Sequence, residues 1–296
     1  MMTYREYLQQ HRYSNSTITT HELRIERFTR WIKAYGTTII KANYEILLQY
    51  AKYLQQNKKY KRSSTNNELR AIKLYYDYLI VKEIIVKNPA ENLIIRGKYT
   101  KVLNNLLKEE ELEDLYYSFE IKHHDTFFRA TKQRDKVITG LIVYQGITAV
   151  ELYNLKEEHL ELTKGKIYIP STRRSNRRTL KLQPSQIIGF IEYTTKARIY
   201  LSKRNNATNE EQLFYASLHL IHRITGRIIK TLKTHNHKVK SYAQIRSSVI
   251  VNWLEKNNLR HVQYMAGHRY ISSTEKYVQD NLENLHEIVN TLHPLS

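Results

Sequence analysis

The sequence predicts a mainly α-helical protein of two domains that carries one small antiparallel β-sheet. Three observations predict it. Apolar residues recur at helical spacing through most of the chain, period-two alternation is confined to residues 160–182, and a proline and a basic run between residues 86 and 105 separate two stretches of helical pattern. At 296 residues the chain can bury a substantial core, and two domains suit that length.

Leu23, Ile25, Phe28, Trp31 and Ile32 mark a first amphipathic helix between Thr20 and Gly36. A second begins with Asn43 as its cap and carries Ile46, Leu47, Tyr50 and Leu54, and a third follows Ser63 with Leu69, Ile72, Tyr76 and Leu79. Pro89 disfavours helix at Asn88 and marks a change of direction. The predicted organisation is a helical domain over residues 1–95, a basic connector over 96–105 containing Arg96, Lys98 and Lys101, and a second domain over 106–296. Glu109, Glu110 and Glu111 open the first helix of that domain, where carboxylates favour the positive end of the helix dipole.

Val137, Ile138, Leu141, Ile142 and Tyr144 then form a buried helix that Gly146 can terminate in the left-handed conformation. Leu160-Glu161-Leu162, Ile167-Tyr168-Ile169 and Thr179-Leu180-Lys181-Leu182 alternate around a Lys164-Gly165-Lys166 turn and an arginine cluster, which predicts a three-stranded antiparallel sheet. Helical periodicity resumes beyond it. Ser241 can cap a helix bearing Ile245, Val249 and Trp253 on one face and Arg246 elsewhere, and Gly267 can end another and leave His268 exposed at the turn. Tyr277 lies in the second turn of a last short helix.

Lysine and arginine number 48 against 28 acidic residues, a formal charge of +20, so the chain attracts polyanions and repels basic partners. A codon bias towards AT-rich triplets would account for lysine but not arginine. The cluster Arg173, Arg174, Arg177 and Arg178 therefore points more firmly to nucleic acid than the total does. Cysteine is absent, which excludes disulfides, thiolate zinc sites and cysteine nucleophiles. No leader-like apolar stretch opens the sequence, and no run of about 18 apolar residues could span a bilayer. The expectation is a cytoplasmic protein with no membrane partner.

Arg246, Gly267-His268 and Tyr277, the tyrosine standing nine residues after the histidine, resemble the signature of the tyrosine recombinases or phage-type integrases. Gly146-Ile147-Thr148-Ala149-Val150-Glu151-Leu152 is similar to the family's Gly-Leu-Arg-x-Ser-Glu-Leu, the hairpin from Thr172 to Leu182 to its β-hairpin, and the helical amino-terminal part with Asn88-Pro89 to its core-binding domain. The resemblance implies a site-specific recombinase of the kind found in mobile elements. Such an enzyme clamps double-stranded DNA between two domains and breaks and rejoins it through a 3′-phosphotyrosine. It implies Tyr277 as nucleophile, Arg246 and His268 as donors to the phosphate, and Arg173 at the place of the hairpin lysine that protonates the leaving oxygen. Arg174, Arg177, Arg178, Lys238 and Lys240 are the expected DNA contacts. Because the phosphotyrosine keeps the energy of the broken bond, no cofactor and no metal are implied.

A phosphodiester repels an anionic nucleophile, and the planar fork of an arginine engages two of its oxygens at once. Against that pattern the family's first arginine is replaced by Thr148, and the histidine three residues before its second arginine by Ala243. An arginine at 173 also holds its protons too tightly for ordinary acid catalysis. Two readings follow: either the arginine cluster supplies the missing charge, or the chain is a catalytically degenerate DNA-binding accessory or regulator on the same fold. The stripe Leu282, Leu285, Ile288, Val289 and Leu292 suits packing on its own domain, and the resemblance implies docking on a neighbouring protomer, hence a homo-oligomer assembled on DNA. His123-His124-Asp125 and His235-Asn236-His237 lack the spacing of a metal site.

Overall fold

The computed structural model describes residues 2–97, 105–204 and 211–278. The chain divides into two compact units, Met1–Tyr99 and Thr100–Ser296. Among the described residues no helix is long and apolar enough to cross a membrane.

Among the described residues the first unit contains four helices, α1 (Tyr4–Gln10), α2 (Asn15–Ala34), α3 (Tyr44–Gln56) and α4 (Arg62–Val81). Helix α1 is too short for apolar spacing to announce, but its capping box is legible: the Thr3 hydroxyl accepts from the Glu6 amide at 3.2 Å, and the Glu6 carboxylate accepts from the Thr3 amide at 2.7 Å. Helix α2 begins earlier than its apolar stripe suggests, because the Ser14 hydroxyl takes the Thr17 amide at 3.3 Å. Asn43 caps α3 as expected, accepting from the Ile46 amide at 3.0 Å. The core joins Phe28, Leu47, Tyr50, Leu69, Ile72 and Tyr76, and a satellite of Tyr7, Leu8 and Ile18 holds α1. Beyond α4, Asn88 accepts from the Ala90 amide at 2.7 Å and donates to the Lys73 carbonyl at 3.0 Å, fixing the turn around Pro89.

The second unit is built on α6 (Thr126–Gln145), whose Ile138, Leu141 and Ile142 are fully buried. Ahead of it, α5 (Glu109–Tyr117) starts as its acidic run predicts, with the Glu111 carboxylate accepting from the Lys108 amide at 2.9 Å. After α6 come α7 (Ala149–Asn154) and an antiparallel sheet in the order β1 (Leu160–Glu161), β2 (Lys166–Ile169), β3 (Arg178–Lys181). Leu160 faces Ile167 and Ile169 faces Arg178. Ile167, Ile169, Arg178 and Leu180 point inward, while Lys166 and Lys181 point out. The remaining elements are α8 (Pro184–Glu192), a π-helical turn (Tyr193–Ala197), α9 (Arg198–Arg204), α10 (Leu218–His235), α11 (Tyr242–Lys256) and α12 (Leu259–Ala266), followed by helical residues 272–278. The predicted class, mainly α with one three-stranded antiparallel sheet, is the observed one. Residues 282–292, with their apolar stripe, lie outside the described residues.

Candidate active site

The site forms where the ends of α6, α11 and α12 approach strand β3. Ser241 caps α11, accepting from the Gln244 amide at 3.2 Å, and Ile245 and Val249 anchor the helix in the core. Those anchors leave Arg246 on the flank facing the carboxy-terminal ends of α6 and α12. One guanidinium nitrogen donates to the Gly146 carbonyl and the other to the Ala266 carbonyl at 2.8 Å. Each carbonyl belongs to a helix end whose last turn lacks amide partners and carries partial negative charge, so both helices favour a cation there. The side chain is 14% exposed, which leaves an edge for a ligand.

Gly146 and Gly267 make this possible. Both take left-handed conformations, φ 54° and 68°, and so end α6 and α12 in tight reversals. The reversal at Gly267 carries His268 back over the site, where the loop between β2 and β3 meets it. The Asn176 amide donates to the Gly267 carbonyl at 2.9 Å, Ser175 pairs with His268 in an isolated bridge, and Arg269 donates to the Thr172 carbonyl at 2.7 Å.

His268 is half-buried rather than exposed at its turn, a correction to the sequence expectation. Its Nδ1 lies 2.8 Å from the hydroxyl of the buried Thr274, and its ring stacks on Tyr277 with centroids 5.9 Å apart and planes at 9°. Burial, and then the positive charges of Arg246 and Arg178, bring the imidazole down to about 4. It is neutral at pH 7, and its Nε2 serves as donor or acceptor according to tautomer. Tyr277 is itself half-buried and packs against Ile250, Val262 and Ala266. Arg246 is also close enough to His268 for its charge to lower the imidazole. The guanidinium, the imidazole and the phenol therefore converge.

Beneath them lies a fully buried ion pair in which Arg178 Nη1 donates to Glu151 Oε1 at 2.6 Å. The second Glu151 oxygen accepts from the Thr148 amide and hydroxyl, each at 2.8 Å, and stands 4.0 Å from Arg246. Burial alone would raise the Glu151 carboxyl, but the hydrogen bond and charge of Arg178, the charge of Arg246 and the Thr148 amide outweigh it and hold the group at about 2.

The other residues singled out in the sequence fall into three groups. Arg173, Arg174 and Arg177 are exposed on the loop pinned against the Gly267 turn, and their side chains have no partner among the described residues. Arg178, expected with them on the solvated tip, is instead buried: β3 begins there, and period two turns Arg178 to the same face as Leu180. Lys238 is paired with Glu111 at 2.6 Å, Lys240 is exposed, and Ala243 is exposed near the start of α11. Thr148 serves as N-cap of α7. Asp125 caps α6 through the Phe127 and Phe128 amides, and His123 accepts from the Asp125 amide at 3.1 Å. Glu151 and Thr274 escaped the sequence reading as site residues. Glu151 shows only as the carboxylate three residues after a cap, and Thr274 carries no signal of its own.

A phenol stacked on a neutral imidazole, beside two guanidiniums that share one carboxylate, leaves one net positive charge in a largely buried space. Residues 105–284 match the phage integrase family and residues 2–83 the phage integrase N-terminal SAM-like domain. The chain belongs to the phage integrase family. It is 30% identical over 254 residues to the tyrosine recombinase XerC of Natranaerobius thermophilus, covering 81% of this chain and 79% of that one. It is 24% identical to XerC of Bacillus pumilus over 98% of this chain and 94% of the relative. Among solved structures, the fold resembles the XerH site-specific recombinase bound to its difH substrate, with TM-score 0.67, 18% identity and coverage of 92% and 79%. It also resembles the Tn1549 transposon integrase in complex with circular intermediate DNA, with TM-score 0.63, 16% identity and coverage of 94% and 95%.

Proposed function

We propose that this chain is a DNA recombinase that breaks and rejoins double-stranded DNA through a phosphotyrosine. The observation that carries the reading is the convergence of Arg246, His268 and Tyr277 over the Arg178–Glu151 pair. Two guanidiniums, one carboxylate and a neutral imidazole leave one net positive charge in a largely buried space, and a phosphodiester brings one negative charge. At low local dielectric that match holds the ester strongly.

In the reaction the Tyr277 oxygen bonds to phosphorus as the bond to the 5′ oxygen breaks. The phenol gives up its proton, and the leaving 5′ oxygen takes one up. Arg246 and the Nε2 of His268 donate to the non-bridging oxygens, and each such donor contributes on the order of 3 kcal/mol in the transition state. Arg173, Arg174 and Arg177 contact the DNA backbone, with Lys240 and, once released from Glu111, Lys238 beside them. Rejoining reverses the step with a 5′ hydroxyl from the same or another strand. Neither step calls on a cofactor or metal.

We assign the DNA-gripping role to residues 1–95 and the chemistry to residues 106–296, with residues 96–105 as linker. We further propose that the chain assembles as a homo-oligomer on DNA in the cytoplasm; the DNA-bound solved structures of similar fold support the DNA part of that reading. Ala243 and Thr148 favour the second reading, a DNA-binding accessory without turnover. Nicked duplexes from the DNA flanking the coding region, incubated with protein and denatured in detergent, separate the two. The recombinase gives a covalent protein–DNA adduct that Tyr277→Phe abolishes; tight binding with no adduct under any condition leaves the accessory.

A further inference from the structure

We propose that Arg178 is the second guanidinium of the phosphate site and takes over the task that an uncharged Thr148 cannot perform. The inference rests on the reading that the chain cleaves DNA, and names a further residue that touches the scissile phosphate.

Arg178 is among the most completely buried large side chains of the chain, with its side chain 0% exposed. It engages Glu151 through Nη1 alone. Its Nε and Nη2 are buried and find no acceptor. These two atoms share one edge of the guanidinium plane, the edge whose parallel N–H bonds clasp a carboxylate or phosphate with two oxygens. A buried N–H pair with no acceptor is costly, and its persistence calls for an explanation. An oxyanion supplied from outside provides one.

The surroundings fit a phosphate rather than a protein partner. Glu151, the carboxylate nearest the guanidinium, is already saturated: one oxygen holds Arg178, and the other holds Thr148 and faces Arg246. Arg178 also lies directly against the Gly-His turn, since a Cβ added to Gly267 would come within 2.4 Å of Nη1. The Arg178 guanidinium therefore lies against the turn that carries His268, with Glu151 between it and Arg246. Thr148 meanwhile contributes only a hydroxyl and an amide, both spent on Glu151. Because Nε and Nη2 are buried, entry of the phosphate has to open the turn at Gly267, which the Asn176 amide holds closed.

The rival is an ion pair that serves stability alone, and the charge of the substrate separates the two. Adduct formation is measured for the full-length chain and its Arg178→Lys and Arg178→Ala variants on two nicked duplexes, one with the natural scissile phosphate and one with a neutral methylphosphonate there. Lysine keeps the charge opposite Glu151 but has no fork. The proposal expects Arg178→Lys to slow adduct formation on the phosphate about 100-fold, with binding of the duplex within a few-fold of wild type, and expects the deficit of either variant to shrink at least tenfold on the methylphosphonate, which has no charge to neutralise. Wild-type rates in Arg178→Lys, or equal deficits on both duplexes, overturn it. Where Arg178→Ala fails to fold, the lysine variant decides. A wild-type chain that gives no adduct at all removes the cleavage reading, and this assignment with it.

Discussion

At neutral pH the imidazole of His268 is uncharged, and the physical cause is its burial, reinforced by the positive charges of Arg246 and Arg178. Its value falls from about 6.5 in the unfolded chain to about 4 in the folded one, so between those limits the unfolded state binds more protons. Stability therefore declines as pH is lowered from 6.5 towards 4 and is unaffected by this group above 6.5. The loss amounts to at most about 3 kcal/mol, reduced where the ring meets solvent. A His268→Gln variant should show a flatter decline than wild type when urea unfolding is compared at pH 7 and pH 4.5; identical slopes would remove the assignment. Glu151 acts lower on the scale. Held at about 2 against an ordinary 4.5, it contributes stability that is present above pH 4.5 and lost as pH falls through 2.

The elements around the site depend on two reversals, and the one at Gly267 is the more demanding. Gly267 and Gly36 both have positive φ, 68° and 88°, which strains any residue with a Cβ. Around Gly36 nothing lies within 4 Å, whereas a Cβ at 267 meets Arg178 Nη1 at 2.4 Å and the Asn176 carbonyl at 3.1 Å. Gly36→Ala should cost about 1 kcal/mol and leave adduct formation intact. Gly267→Ala should cost more and strongly impair the adduct, because it displaces Arg178 and with it the floor of the site. Thermal melts alongside the covalent-adduct assay test the pair, and equal behaviour of the two variants would contradict the packing argument. Element boundaries show why local patterns inform so unevenly. The caps at Asn43 and Ser241 and the glycine stops at 146 and 267 are read directly from residue types, since capping is a local interaction. Helix α1 is missed by apolar spacing because only Tyr7 and Leu8 of its residues are buried.

Across the whole molecule the charge of +20 makes DNA affinity a matter of counterion release, so binding should weaken steeply between roughly 50 and 200 mM salt. Replacing Arg173, Arg174 and Arg177 together by glutamine should lower the slope of log affinity against log salt by about 0.9 for each phosphate that is no longer neutralised. Fluorescence anisotropy of a labelled duplex reads that slope, and an unchanged value would remove the loop arginines from the interface. The sequence by itself determined the class of fold, the three strands and the glycine stops, because periodicity and capping are written along the chain, and it offered the trio Arg246, His268 and Tyr277 through the resemblance to a family signature. Only the tertiary structure decided what surrounds the trio. Arg178 and Glu151 stand 27 positions apart, and neither residue type nor spacing declares that one carboxylate will sit between two arginines, or that an arginine in a charged cluster will face inward. Burial and pairing are properties of the packed chain, and the inward turn of Arg178 follows from the strand register that places it beside Ile169.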